Sequence, residues 1–378
     1  MKKKILIIYA SYGSGHKAIA NYIADYFKEQ DSNLEIATLD IVTYSMKVVG
    51  SISQKMSNFF MLRMPHVHGM FYNLVSTKIG GDFIDDISTT IFKNKRMEKM
   101  ITSFNPDIII ATHFFGASLY HYYTKKNLIN AKLITIITDY DIIEIWTKFH
   151  KDASYVVAGN TFLQKDLLKN GVDKKKIKCF GIPIAPKIEN GFNKESSLKK
   201  YKFSGKKMIC LFFGGGGNGS MATIPYIKKL ALNNPWLDII FVAGRNEKSK
   251  NIVDDFATNN SLTNVRTIGF ATNVPELIEL SDFVITKPGG IQLTECLYFG
   301  KGVLMIRHSG GQEIANYKFF ESQGYGKYFK TSWGLNNFVM GIKDNPDIIK
   351  EFSKNMKKHS NSDSMSKLYD LVKDTLNS

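Results

Sequence analysis

Short apolar runs alternate with amphipathic stretches almost from the first residue. Ile5 to Ala10 is a near-continuous apolar run of strand length. Ser11-Tyr12-Gly13-Ser14-Gly15-His16 follows, and then a segment from Lys17 to Gln30 whose apolar residues Ala20, Ile23, Ala24 and Phe27 recur at helical spacing. A strand, a glycine loop and a helix in that order open a doubly wound α/β domain. Further runs of the same kind occupy residues 107–112, 132–138, 154–158 and 174–181, with a helix expected over Thr161 to Asn170. The first two end in polar clusters, His113-Phe114-Phe115-Gly116 and Asp139-Tyr140-Asp141, where a parallel strand opens onto a cleft. Asp139 and Asp141 also suit helix capping.

Pro183 and Pro186 break this rhythm, and a polar, lysine-rich stretch from Lys187 to Lys207 reads as a linker, with a short helix from Glu195 to Tyr201 opening the next domain. The pattern then restarts. A strand is expected over Met208 to Phe213, a glycine loop from Gly214 to Ser220 that includes Gly215, Gly216 and Gly217, and a helix from Met221 to Leu232. Strands over 238–243, 265–268, 283–286 and 303–306 follow, and Asn273 stands as an N-cap before Pro275. Lys350 to Asn377 reads as a closing amphipathic helical stretch. The densest chemistry lies in Lys287-Pro288-Gly289-Gly290 and the helix after it, which carries Glu295. Two glycines at a helix N-terminus let a phosphate or ribose approach the backbone, and a carboxylate one to two turns on can reach ribose hydroxyls. The same residues also fit an ordinary turn with an acid placed favourably on the helix dipole.

Composition narrows the partners. The 378 residues are 44% hydrophobic and 22% charged, as in a soluble two-domain protein, but the formal net charge is +16. Such an excess favours an anionic membrane or a phosphorylated substrate, and no nucleic-acid-binding motif accompanies it. Residues 41–81 contain no acid. They hold Lys47, Lys55, Arg63 and Lys78 among Phe59, Phe60, Phe71 and several methionines, the composition of a surface lying in a membrane interface. A helical hairpin covering the sheet is the competing reading. The N-terminal apolar run is too short for a signal peptide, and no stretch approaches the roughly 18 apolar residues of a membrane span. Cys179, Cys210 and Cys296 form no CxxC pair, which points to a reducing cytoplasmic setting and to no structural zinc.

The segments YASYGSGH, TDYDIIEIWTKFH, FGIPIAP, FGGGGNGS, GFATNVPELI, ITKPGGIQLTE and GGQEIANYKFFE, taken in order, resemble the diacylglycerol glycosyltransferases of glycosyltransferase family 28. The resemblance implies a GT-B fold of two Rossmann-like domains facing across a cleft: an acceptor and membrane-facing domain over 1–186, a UDP-sugar domain over 187–350, and a helix over 351–378 packing back on the first. It implies inverting transfer of glucose or galactose from UDP-glucose or UDP-galactose to diacylglycerol, at the cytoplasmic face of an anionic membrane, with no cofactor and no obligatory metal. Carried over by position, Glu295 holds the ribose, and Pro288, Gly289 and Gly290 lie at the nucleotide. The Gly214–Gly217 loop flanks the diphosphate, Gly269 and Phe270 the uracil, and Gln312 and Glu313 the sugar. Gly13, Gly15, Trp146 and His150 fall on the acceptor side. His16 and Asp139 are the catalytic candidates, either one serving as base for the acceptor hydroxyl or Asp139 orienting His16. Two rivals remain: a UDP-N-acetylglucosamine-using transferase or epimerase of the same fold, and a non-catalytic sugar-nucleotide sensor.

Overall fold

The computed structural model describes residues 2–11, 15–45, 94–140, 144–188, 191–215, 217, 219–308 and 310–378. Gly13 and Gly216, and the expected membrane-facing residues Lys47, Lys55, Phe59, Phe60, Arg63 and Phe71, lie outside them. The chain divides into two compact units, one comprising Met1–Ala185, Ser309–Gln312 and Asn361–Ser378, the other Pro186–His308 and Glu313–Ser360.

In the first unit, strands β1 (Lys3–Tyr9), β2 (Leu34–Asp40), β3 (Ile108–Ala111), β4 (Lys132–Ile136), β5 (Tyr155–Ala158) and β6 (Ile177–Cys179) form a parallel sheet in the order β2-β1-β3-β4-β5-β6. Ile5 of β1 sits opposite Ile36 on one side and Ile108 on the other. All four residues of β3 are buried, which explains why the central strands read as unbroken isoleucine runs. The Gly15–Gln30 helix lays Ile19, Ala20, Ile23, Ala24 and Phe27 on the sheet, the face its periodicity marks. The Ser364–Asn377 helix packs on this unit too. Tyr369 meets Phe27 edge-on at 5.3 Å, Lys373 bonds Asp31 at 2.7 Å, and Lys132 Nζ donates to the Thr375 carbonyl at 2.7 Å.

In the second unit, β7 (Met208–Phe213), β8 (Leu237–Val242), β9 (Val265–Ile268), β10 (Phe283–Thr286), β11 (Val303–Ile306) and β12 (Gly326–Phe329) form a parallel sheet in the order β12-β11-β10-β7-β8-β9. Counted from β7, this is the 3-2-1-4-5-6 order of dinucleotide-binding sheets, with its direction reversing between β7 and β10. In the first sheet the reversal falls between β1 and β3. The carboxyl ends of these two strand pairs carry Gly15-His16 and Thr112-His113 in one unit, and the Gly214 loop and Pro288-Gly289-Gly290 in the other.

The structure departs from the sequence expectations at particular places. Edge strands β2 and β12 were not expected, because their half-exposed residues lack the apolar continuity of the central strands. The closing stretch is two helices, Asp347–Lys358 in the second unit and Ser364–Asn377 in the first. Between them, Asn361 Nδ2 and Ser364 Oγ both donate to the Ile182 carbonyl, at 3.0 and 3.1 Å, so polar side chains there tie the backbone elsewhere than into a continuous helix. Asn273 occupies the N-cap position before Val274–Leu280 but makes no side-chain cap. Its Nδ2 donates instead to Glu276 Oε2 at 2.8 Å and to the Tyr201 hydroxyl at 3.2 Å.

Candidate functional site

In the first unit, His16 is the second residue of the helix that follows β1 and is half-buried. Its Nδ1 lies 2.8 Å from the Thr112 carbonyl and 2.9 Å from Thr138 Oγ1. A carbonyl only accepts, so Nδ1 carries the hydrogen, and the lone pair is left on Nε2. Two strand ends thus fix the tautomer of a third: Thr112 follows β3 and Thr138 follows β4. Burial pulls the His16 pKa below its ordinary value, while the negative charge of Asp139 and the Thr112 carbonyl raise it and offset part of that fall. The ring is therefore neutral at pH 7, with a carboxylate at hand to stabilise its protonated form. His113 meets His16 edge-on at 4.8 Å and is itself pushed well below the ordinary histidine range, by burial first and then by repulsion from His16 when that ring is protonated. The Nδ1 of His113 accepts the Phe115 N–H at 3.3 Å, capping the Phe114–Lys125 helix.

The two aromatic-segment residues separate. Trp146 is 6% exposed, packed 5.8 Å from Phe114 and 6.3 Å from His113. His150 is half-buried, and its pKa is lowered by burial and by the charges of Lys151 and Lys176. None of Thr112, Thr138 and His113 was singled out as a site residue from the sequence. Their signal was their position, directly after unbroken apolar runs.

In the second unit the glycine loop folds back over the end of its own sheet. Gly215 has φ +112°, the Ser220 N–H bonds the Gly214 carbonyl at 2.6 Å, and a side chain at Gly219 would collide with the Ala243 carbonyl. Part of the glycine richness is therefore a packing demand of the turn itself. The Arg245 N–H bonds the Gly217 carbonyl at 2.9 Å, and its guanidinium lies 4.1 Å above the ring of Phe270, which is 51% exposed. The ends of β7, β8 and β9 thus present a glycine loop, a cation and an aromatic face together. Arg245 was not expected from the sequence, although Gly244-Arg245-Asn246 stands at a strand end.

At the end of β10, Gly289 is the N-cap of the Gly290–Phe299 helix, and no side chain caps it. A Cβ built on Gly289 would meet nothing within 4 Å, so this backbone borders open space with helix N–H groups beside it. Asn316, fully buried, donates to the Pro288 carbonyl at 3.1 Å, and Thr286 Oγ1 donates to Gln292 Oε1 at 2.8 Å; both hold the turn in place. Glu295 lies on that helix, 7% exposed. Glu313, expected at the sugar, pairs with Lys287 at 3.1 Å, both side chains largely buried. Lys287 had been read only as part of the turn. Gln312 opens the Gln312–Ser322 helix and is half-buried. Among the described residues, no group of three or more His, Cys, Asp or Glu side chains is placed to hold a metal ion.

Comparison with known proteins finds a separate match for each half of the chain. The Monogalactosyldiacylglycerol (MGDG) synthase family model matches residues 16–184, and the Glycosyltransferase family 28 C-terminal domain matches residues 210–370. A processive diacylglycerol beta-glucosyltransferase of Bacillus pumilus is 27% identical over 98% of this chain and 94% of its own. That of Bacillus subtilis is 25% identical over 94% of this chain and 91% of its own. Among solved structures, Acinetobacter baumannii MurG superposes with a TM-score of 0.66 at 12% identity, covering 98% of this chain and 99% of its own. Staphylococcus aureus MnaA with UDP gives 0.63 at 16%, covering 99% and 97%. These last two likenesses establish the GT-B fold. Matched in order, the chain carries an MGDG synthase domain followed by a glycosyltransferase family 28 C-terminal domain, and it is similar over nearly its full length to diacylglycerol glucosyltransferases.

Proposed function

We propose that the protein transfers a hexose, with inversion, from a UDP-sugar to the free hydroxyl of diacylglycerol at a membrane surface. The observation that carries this reading is the fixed tautomer of His16. Its Nδ1–H is held by the Thr112 carbonyl, so Nε2 is a neutral acceptor at the sheet's reversal point, suited to take the acceptor hydroxyl's proton as that oxygen attacks the anomeric carbon. Asp139 raises the proton affinity of the ring and stabilises the imidazolium formed in the step. In the second unit, the open Gly289 backbone, the glycine loop and Arg245 are the donors for the diphosphate, Phe270 is the face for the base, and buried Glu295 is the acid for the ribose. Backbone N–H groups and helix N-termini stabilise the departing UDP, so the step as proposed needs no resident cofactor or metal.

The full-length relatives are named for a β-glucosyl product. A β product from the α-linked UDP-sugar is inversion, and the same names favour UDP-glucose over UDP-galactose as donor. No helix among the described residues is long and apolar enough to cross a membrane. Contact with the lipid is assigned to the segment that follows the buried Ile41 and Val42, residues 46–81, whose basic and aromatic composition suits an anionic cytoplasmic leaflet. The test is a donor panel of UDP-glucose, UDP-galactose and UDP-N-acetylglucosamine offered with diacylglycerol-containing vesicles. Hexosyl-diacylglycerol from the first or second supports the reading. Conversion of UDP-N-acetylglucosamine to its epimer, or binding of donor without any turnover, overturns it.

A further inference from the structure

The amino-terminal edge of the second sheet, at the opposite end of its strands from the glycine loops, holds a cleft of about 560 Å³. Its lining includes Lys301, Lys350, Lys354 and Lys357 against a single acid, Asp282. The last three lysines come from the Asp347–Lys358 helix at i, i+4 and i+7, so they share one face. Asp282 is committed elsewhere, since its Oδ2 accepts the Ile209 N–H at 2.7 Å. Lys301 lies 3.9 Å from Glu279 Oε2 and Lys350 2.8 Å from Asp347 Oδ1, so the positive excess of the cleft rests on Lys354 and Lys357.

The arrangement is built rather than loosely draped. Lys301 is only 18% exposed in its side chain and is anchored by donating to the Glu279 carbonyl at 2.8 Å. The Lys357 stem lies directly against Gly300, a left-handed residue (φ +63°) where any Cβ would clash with it. Burial lowers the pKa of Lys301, the charges of Lys357 and Lys194 lower it further, and Glu279 and Asp282 offset only part of the fall. Ser353 Oγ accepts the Gly302 N–H at 3.2 Å, which leaves its own O–H to donate into the cleft. Met208 and Ile349 give the same cleft an apolar side.

We propose that this cleft is a binding site for a phosphate ester, separate from the nucleotide loops, its charge met by Lys301, Lys354 and Lys357 and one oxygen by Ser353. A singly charged carboxylate leaves one of the two remaining cations unmatched, and a nucleic acid needs a longer track than one cleft of this size. A phosphate carries the charge in a compact group, lysines meet it as point charges, and the apolar side accommodates the ester's carbon portion. The ester can belong to a soluble metabolite or to a lipid headgroup.

The test uses the full chain saturated with UDP, so that the nucleotide loops are filled, and titrates inorganic pyrophosphate by calorimetry. Wild type is expected to bind one pyrophosphate, and Lys354→Gln/Lys357→Gln to bind it at least tenfold more weakly with UDP affinity and melting unchanged. A control of equal charge on exposed positions of the same unit, Lys318→Gln/Lys343→Gln, is expected to bind as wild type does. Phosphatidylglycerol vesicles then distinguish the sources. If the ester is a lipid headgroup, the cleft variant loses severalfold more vesicle binding than the control; if it is soluble, the two variants bind vesicles equally while still differing toward pyrophosphate. Cleft and control variants that match in both assays overturn the proposal.

Discussion

Replacing Lys287 by Met removes one half of a largely buried ion pair. Lys287 Nζ lies 3.1 Å from Glu313 Oε1, with side-chain exposures of 15% and 14%. At that distance two unit charges attract by about 5 kcal/mol with an effective dielectric near 20, against a desolvation cost of several kcal/mol for each ion. The pair as a whole therefore contributes little, but the variant leaves Glu313 charged in a site built for a partner. Breaking a buried pair costs about 3–5 kcal/mol, and the residual exposure places this one near the low end, about 3 kcal/mol. For a unit of this size that is a fall of roughly 6–12 °C in midpoint. Urea and thermal unfolding, followed by the fluorescence of Trp236 and Trp333, should report it, since both belong to the second unit. The double variant Lys287→Met/Glu313→Met should recover most of the loss, because no charge is then stranded. An unchanged midpoint in the single variant would refute the reasoning, and a double variant no more stable than the single would show that packing, not charge, is at stake.

Glu295→Ala should weaken UDP binding by about 1.5–3 kcal/mol, the loss of a hydrogen bond to a charged group, and calorimetry showing unchanged affinity removes Glu295 from the site. Asp139→Asn takes away the charge that raises the His16 pKa, so the acidic limb of the pH profile of kcat/KM, already below pH 6.5, should move to still lower pH; a limb that moves upward contradicts the assignment. Because His16 and His113 both have folded pKa values below the unfolded one, the stability they contribute is complete above pH 6.5 and is lost as pH falls toward the folded values. The urea midpoint of the first unit, read from Trp146, should therefore decline on acidification, and a rise would count against neutral buried rings. Phe59→Ser/Phe60→Ser/Phe71→Ser should lower binding to anionic vesicles while UDP affinity and the melting curve hold; joint loss of stability and UDP binding would return these residues to a core.

The central strands were legible because burial on both faces writes them as unbroken apolar runs: β7, β10 and β11 match the expected residues throughout. Edge strands β2 and β12 and the helix Glu247–Asn259 were not. β2 buries only Leu34 and Leu39, and the amphipathic helix Glu247–Asn259 carries only Ser249 and Val253 fully buried, too weak a stripe to stand out from a polar loop. In the site, glycines and the histidine after them were legible because few residue types can occupy such turns. The groups that tune them were not, since Thr112, Thr138 and His113 reach His16 only through strand order, across sequence separations of about a hundred residues. Trp146, placed on the acceptor side by its motif, is packed beside Phe114 and His113, a packing that its segment did not announce.

The central claim, transfer with inversion driven by His16 as base, is tested most directly by proton NMR of the glycolipid formed from UDP-glucose and diacylglycerol vesicles, with wild type and His16→Ala run side by side. Wild type is expected to give a β-linked glucosyl-diacylglycerol, and the variant a rate lower by about 10²–10⁴ with UDP affinity retained, since a general base acts in the transition state and adds little to donor binding. An α-linked product, or a His16→Ala protein that turns over at the wild-type rate, would contradict it.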